Sequence, residues 1–455
     1  MAKILIVTSG LTGIFNASLQ LMSRLDRSGH EVCSASPRQD LDFTKSPFPY
    51  YKLNPIRLES IISTAKDKDY RGIKGLIYRN LNRKSRRAEA IDIIEPKDFV
   101  PLLDQLKPDL VILDIELHEY IIQAYSCSPR ILLLSQWFSV WSNSYLPSIQ
   151  SELKVSNGNL ALRIGNIKHY IKLRFKREKY AAKASLISGG LSRREIIISM
   201  AKKWKFPTAY IGVNLWPGQY LYNRLPVMSM TLKSLEFPHK MRSNLHYIGP
   251  MLDMNRNDSN AATTNSYTLE DAFQWAENKD LKIIYCSVST MQVGDRSFIE
   301  KVISAVAEMP SWMIIISLGK IQRESDLSNL SDNVFTFNVV PQIEVLSRVD
   351  LSINHGGIHS INECIALNVP MLIYSGKWAD QNGCASRMDY HEIAYIGDKD
   401  VDTVEEIRNK IESLYSDQNV RSKLEKINQF YNEEIKEGYL ESMVEKILRE
   451  DNIEN

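Results

Sequence analysis

The stretch best equipped for chemistry runs from 339 to 387, VVPQIEVLSRVDLSINHGGIHSINECIALNVPMLIYSGKWADQNGCASR. An apolar run ends at Asn354, and the chain turns through His355-Gly356-Gly357 into a helical pattern. Glycines let backbone N–H groups come close to a ligand, and a helix start offers unpaired N–H groups at the positive end of its dipole. Together they make a phosphate site at the carboxyl end of a parallel strand. Ser360, in the first turn, adds a hydroxyl. Glu363 lies three residues on, hence on the same helical face, and suits a diol such as ribose. Asp380-Gln381 brings two adjacent polar groups to the end of the next strand. Taken alone, a His-Gly-Gly turn is usually just a tight loop and a helical glutamate a solvated one. The ordered set is what points to a ligand.

The elements that must hold these residues read as alternating strands and helices. Strands are predicted at 3–7, 32–36, 110–113 and 130–134, then at 281–287, 312–317, 351–354 and 371–374. Helices are predicted at 298–309, 343–348 and 358–367, with Asn368 as a left-handed cap before Pro370. Asn16 is expected to cap a helix whose apolar side is Leu19, Leu21, Met22 and Leu25, with Gly29 closing it. Apolar residues at 420, 424, 427, 430, 435, 439, 443 and 447 predict one long acidic amphipathic helix at the C-terminal end. Repeated strand–helix–strand units imply a parallel sheet covered on both faces. The fold class is therefore α/β, with two doubly wound, Rossmann-like domains facing across a crevice. Residues 1–250 form the first domain, the Asn/Ser/Thr-rich stretch 251–270 a linker, 271–430 the second domain, and 431–455 a helix returning to the first.

A length of 455 residues suits two domains, and 44% hydrophobic with 24% charged residues excludes a disordered or fibrous chain. Cys33, Cys127, Cys286, Cys364 and Cys384 are odd in number, far apart and free of any CxxC spacing. They suggest neither a disulfide framework nor a zinc site, so a cytoplasmic location is expected. No window approaches the roughly 18 apolar residues of a membrane span, and the first apolar run is too short for a signal peptide. The net charge of +2 conceals a division: residues 1–250 carry 37 Lys and Arg against 20 Asp and Glu, and residues 251–455 carry 19 against 34. Such asymmetry suits a basic half that meets something anionic, or two halves that attract across a cleft.

The sequence PQ, then HGGxxSxxE, then VP, then WxDQ resembles the donor-binding signature of the UDP-glycosyltransferases. These are inverting, metal-independent enzymes of the GT-B fold. The likeness is specific over roughly 50 residues and only topological over most of the first half. It implies a UDP-sugar as co-substrate, no further cofactor and no metal ligand set. Gln342 and the backbone around Val340 would hold base and ribose, with Glu363 on the ribose hydroxyls. His355, Gly356, Gly357, His359 and Ser360 would take the diphosphate, with Ser289 and Thr290 near its distal phosphate. Asp380 and Gln381 would grip the hexose, probed against an acceptor in the first domain. This sequence departs from the family at Val339, where plant members keep a tryptophan, at His359, where an asparagine is usual, and at Asn368, where glycine is common.

A larger departure lies in the first domain. The family's glycine-histidine pair, whose histidine deprotonates the acceptor, corresponds to Gly13-Ile14, and isoleucine is no base. No histidine precedes His30, which is read as structural. The histidine's aspartate partner corresponds to Asp114 at the end of PDLVILD, so Asp114 would act directly as the base, helped by Glu116 or His118. Partial burial would bring such a carboxylate toward its working range. The competing reading makes Asp114 a cap of the next segment. Ile14, Asn16, Trp137, Phe138 and Trp141 are candidates to line an acceptor pocket, or alternatively core.

The acceptor is expected to be an apolar, aromatic or anionic small molecule, a natural product or a lipid. An anionic acceptor would need no base at all. The basic run 163–179 interleaves Ile164, Ile167, Tyr170, Ile171 and Phe175 with Lys and Arg. It reads as a helix able to lie on an anionic membrane, or as a solvated face over the core. No nucleic-acid reading motif accompanies the basic half. A donor-binding protein without transfer activity is the alternative to a transferase.

Overall fold

In a computed structural model of the chain, residues 4–7 are fully buried and sit at the middle of a seven-stranded sheet. The residues described are 1–10, 12–38, 47–55, 72–128, 130–141, 145–152, 159–213, 220–254, 267–287, 296–319, 330–377, 380–436 and 438–449. The first domain contributes β1 (Lys3–Val7), β2 (Glu31–Ser36), β3 (Tyr50–Lys52), β4 (Leu110–Asp114) and β5 (Ile131–Ser135). It adds β6 (Ile211–Val213), β7 (Tyr220–Tyr222), β8 (Val227–Ser229) and β9 (Leu245–Tyr247). The sheet order is β3-β2-β1-β4-β5-β8-β9, and every pairing in it is parallel. Strands β6 and β7 form a separate antiparallel pair. Runs such as Leu-Val-Ile-Leu in β4 are apolar at every position because helices cover both faces of a parallel sheet.

The second domain repeats the plan with β10 (Lys282–Ser287), β11 (Trp312–Ser317), β12 (Val334–Phe337), β13 (Leu351–Asn354), β14 (Met371–Tyr374) and β15 (Ala394–Gly397). Their order is β12-β11-β10-β13-β14-β15, again all parallel. In each sheet the strand order reverses direction once, between β1 and β4 and between β10 and β13. Such switch points open a crevice beyond the carboxyl ends of the strands. Helix Leu269–Asn278 starts the second domain with a reciprocal cap between Thr268 and Asp271, so it begins inside the stretch assigned to the linker.

Two helical expectations change. The first helix runs Thr12–Arg27, which places Asn16 inside it rather than at its cap. The long C-terminal helix is two helices, Gln418–Glu434 and Tyr439–Arg449, broken where Gly438 takes φ 122°. The break turns the apolar face: Leu440, Met443 and Val444 pack in the first domain's core with Ile4, Ile6, Leu21 and Met22. Arg24 fixes that docking through two 3.0 Å hydrogen bonds to Glu441. His30 is buried in the same region, 3.6 Å from Glu441's neighbour one turn on, Glu445. All five cysteines are free thiols. Among the described residues, no helix is long and apolar enough to cross a membrane.

Candidate active site

The two switch points face each other. On the first domain, β4 ends in Asp114, whose carboxylate accepts from the Ser9 and Glu116 backbone N–H groups at 3.1 Å each. Burial raises its pKa, against the lowering effect of those hydrogen bonds. Glu116 follows and is pushed up to about 8, first by burial, then by the charge of Asp114, with the Trp137 indole N–H opposing and the charge of Asp380 adding to the rise. That last contribution comes from the other domain. Asp380 itself is buried and pushed up to about 7 by loss of water, although the Cys384 thiol donates to it at 3.3 Å and Arg387 lies nearby. A carboxyl group of the second domain thus stands close enough for its charge to act on one of the first.

The turn after β13 has the expected form. Asn354 Oδ1 accepts from the Gly356 N–H at 2.9 Å, Gly356 takes φ 79°, and helix Ile358–Ala366 begins immediately after Gly357. The His355 ring lies over Gly357. Asn368 adopts the left-handed conformation, φ 55°, ahead of Pro370. Behind the turn, Gln342 donates to Ser360 Oγ at 3.2 Å and to the buried carboxylate of Glu363, while its own carbonyl oxygen accepts from the Tyr285 hydroxyl at 3.2 Å. The helix Gln342–Leu346 and the helix Ile358–Ala366 therefore present Gln342, Ser360 and Glu363 as one connected group. Val340 is buried beside it and Gln381 is buried at the start of helix Gln381–His391, with its carbonyl 3.2 Å from where a Cβ on Gly356 would lie. Ser289 and Thr290 lie outside the described residues.

His359 points elsewhere. Its ring crosses the crevice to the first domain, where Nε2 is 3.0 Å from Gln136 Oε1 and a Cβ on Gly13 would come within 2.3 Å of Cδ2. Gln136 directly follows β5, and nothing in its sequence neighbourhood marks it. Tyr285 was missed for the opposite reason: in the middle of a strand it reads as core.

Three acceptor candidates need correction. Ile14 is fully buried in the core beside Ile6 and Leu21, because it lies on the inner side of helix Thr12–Arg27. Phe138 is buried under the Arg387 guanidinium, 4.4 Å from its ring centre, and Trp141 is buried beneath Arg242 at 5.0 Å. Side chains sealed in this way offer no face to an acceptor. Trp137 and Asn16 are only partly buried, and Trp137 reaches Glu116.

Helix Gln381–His391 also joins the domains. Arg387 pairs with Glu236 of the first domain, both fully buried, and stacks between Phe138 and Phe237. Glu236 accepts in addition from the Ser139 N–H at 2.8 Å and the Tyr247 hydroxyl at 2.9 Å. The Gly383 N–H donates to the Ile149 carbonyl at 2.9 Å, and Asn382 donates to the Gln150 carbonyl at 3.2 Å.

Residues 226–434 match the sequence model of the family described as "UDP-glucoronosyl and UDP-glucosyl transferase". The chain is 26% identical over 174 residues to the UDP-glucosyltransferase YdhE of Bacillus subtilis (strain 168), covering 38% of this chain and 44% of that one. It is 24% identical over 223 residues to the zeaxanthin glucosyltransferase of Pantoea ananas, covering 48% of this chain and 47% of that one. The matches thus span less than half of these curated relatives. Among solved structures, the glycotransferase of kitacinnamycin superposes with a TM-score of 0.67 at 18% identity, over 98% of this chain and 99% of the other.

Proposed function

We propose, from the family match over residues 226–434 and the GT-B fold, that the chain is a UDP-glycosyltransferase that transfers a hexose of the glucose type from a UDP-sugar to a small-molecule, natural-product or lipid acceptor, with inversion. Gln342, Glu363 and the backbone at Val340 hold the nucleoside, with Tyr285 orienting Gln342. His355, Gly356, Gly357 and Ser360 take the diphosphate at the start of helix Ile358–Ala366, Ser289 and Thr290 complete that set, and His359 braces the turn against Gln136 of the first domain. Asp380 and Gln381 grip the hexose hydroxyls.

The observation that carries the reading is the placement of Asp380 across the crevice from Glu116, near enough for its charge to act on that carboxyl. A sugar gripped by Asp380 has its anomeric carbon beside an acceptor hydroxyl bound at Asp114 and Glu116. The acceptor oxygen forms its bond to that carbon as the bond to the diphosphate oxygen breaks, and UDP leaves with the electron pair. The hydroxyl proton passes to Glu116, whose pKa near 8 suits a base working close to neutrality. The neighbouring Asp114 carboxyl adds to the affinity of Glu116 for that proton. Helix N–H groups, His355 and Ser360 meet the charge of the leaving diphosphate, so the reaction requires no metal. Most of the rate advantage comes from holding the two reactants in line. The acceptor is an apolar, aromatic or anionic small molecule; the Pantoea ananas relative is named for zeaxanthin.

Purified protein is incubated with UDP-glucose and a cell extract as the acceptor source, with chelator present, and UDP release and new product masses are followed. Extract-dependent UDP release that persists in chelator, and falls at least about a hundredfold in Glu116→Gln with UDP-glucose still bound, is the expected result. UDP-glucose binding with no turnover on any extract would mean a donor-binding protein without transfer activity. Turnover abolished by the chelator would overturn the metal-free mechanism.

A further inference from the structure

The helix Leu160–Ser188 has 29 residues, about 43 Å of helix, and only Asn166, Ala184 and Ser188 are buried. A helix that long normally hides an apolar stripe, yet here the stripe faces outward. Leu160, Ile164, Ile167, Ile171 and Phe175 are all exposed, Phe175 to 72%. Their spacings of four, three, four and four keep them along one side. At 100° per residue, Arg163 and Arg174 border one edge of that stripe and Lys168, Lys172 and Lys179 the other. Glu178 is the helix's single acidic residue; it lies in line with the stripe and is held by Arg194 at 3.1 Å.

The helix Gly72–Leu81 packs near its far end, where Arg79 Nε donates to the Ile187 carbonyl at 2.9 Å. It adds exposed Ile73, Ile77 and Leu81, again four residues apart, beside exposed Leu186 and Ile187. Lys168, Lys172, Arg174, Lys176, Lys179 and Lys183 are exposed and make no ion pair with a carboxylate among the described residues.

We propose that this two-helix surface docks on an anionic lipid bilayer, with the isoleucine–phenylalanine stripe lying at the level of the acyl chains and the lysines reaching to the headgroups. An apolar stripe bordered by lysines that have no carboxylate partner among the described residues is hard to bury in protein, because each of those cations would lose water without gaining a partner. A second copy of the chain would bring the same positive sign to the contact. A nucleic acid would satisfy the cations and leave five large apolar side chains in water. An anionic bilayer satisfies both, as a long amphipathic basic helix does when it lies in the interface plane. The inference is independent of the transferase reading, since neither helix carries a residue of the proposed active site.

The full chain is co-sedimented with vesicles of phosphatidylcholine alone, or with about a third phosphatidylglycerol. Binding to the anionic vesicles only, weakened by salt, is expected. Lys168→Gln with Lys172→Gln and Lys179→Gln should weaken it roughly a hundredfold, at about 1 kcal/mol per charge. Ile171→Ser with Phe175→Ser should weaken it at least about tenfold. These positions are exposed, so an unchanged melting temperature certifies the fold of each variant. No binding to anionic vesicles at low salt overturns the proposal. So does binding that ignores Ile171→Ser with Phe175→Ser, which would mean a purely electrostatic contact, or tighter binding to a nucleic acid that the same substitutions leave unaffected.

Discussion

His359 of the second domain lies against Gly13 of the first, so close that any side chain at Gly13 would meet the imidazole at 2.3 Å. The position after Gly13 corresponds, by the family resemblance, to that of a catalytic histidine, and Ile14 there turns into the core. The imidazole that enters this part of the crevice comes instead from the opposite domain, anchored by Gln136. The turn after β13 and the first domain are therefore coupled through one ring.

Gly13→Ala must drive that ring away from Gln136 or hold the domains apart. Both Gly13→Ala and His359→Ala are expected to lower UDP-glucose affinity, measured by calorimetry, by about tenfold. If the alanine acts through the ring, the double variant binds no worse than His359→Ala alone, because residues in contact are non-additive. Simple additivity would mean that Gly13 matters for a different reason.

Arg387 and Glu236 hold the domains together where water does not reach. Removing one partner leaves the other charge buried, which costs about 3–5 kcal/mol, whereas replacing both by apolar or neutral groups of similar size is often neutral. Arg387→Met alone should lower the urea midpoint sharply, and adding Glu236→Gln should recover much of it. Because Asp380 and Gln381 begin the same helix, Arg387→Met should also weaken UDP-glucose binding. A single variant as stable as the wild type would show that the pair carries no weight in the fold.

The second domain was far more legible in the sequence than the first, for physical reasons. Strands β10, β11, β13 and β14 are continuous apolar runs ending at polar or glycine-rich turns, so their bounds follow from residue type. Ser360 and Glu363 lie three residues apart on one helix, so local spacing puts them on a shared face, whereas Gln342, 18 residues before Ser360 on another helix, was legible only through the family resemblance. Strands β8 and β9 went unread because three residues such as Val-Met-Ser carry no periodicity. The roles of Gln136, Tyr285, Glu236 and Arg387 depend on partners far away in the chain, 151 residues apart for the ion pair. Phe138 and Trp141 were open to two readings because an aromatic cluster after a strand looks the same whether it lines a pocket or packs under an arginine. The outward stripe of helix Leu160–Ser188 was visible as a pattern, but only the fold shows that among the described residues no core covers it.

The paired carboxyls of the crevice make stability depend on pH in a definite direction. Glu116 is raised from 4.5 to about 8 and Asp380 from 3.8 to about 7, both chiefly by burial. Below about pH 3 both groups are protonated in the folded and unfolded chain alike, and the stability they permit is fully present. As pH rises the unfolded chain ionises first, while the fold keeps its protons until about 7 and 8, so stability falls through this window and levels off above it. Melting temperature should therefore decline between pH 5 and 8, by several degrees. Glu116→Gln with Asp380→Asn removes both ionisations, so its decline should be shallower and its melting temperature at pH 8 higher than that of the wild type. Turnover in the wild type should run the other way, rising over the same interval as Glu116 loses its proton and becomes able to accept one. A double variant less stable than the wild type at pH 8 would mean that the two groups are already ionised in the fold and held by partners, which removes the basis for Glu116 as a base poised near neutrality.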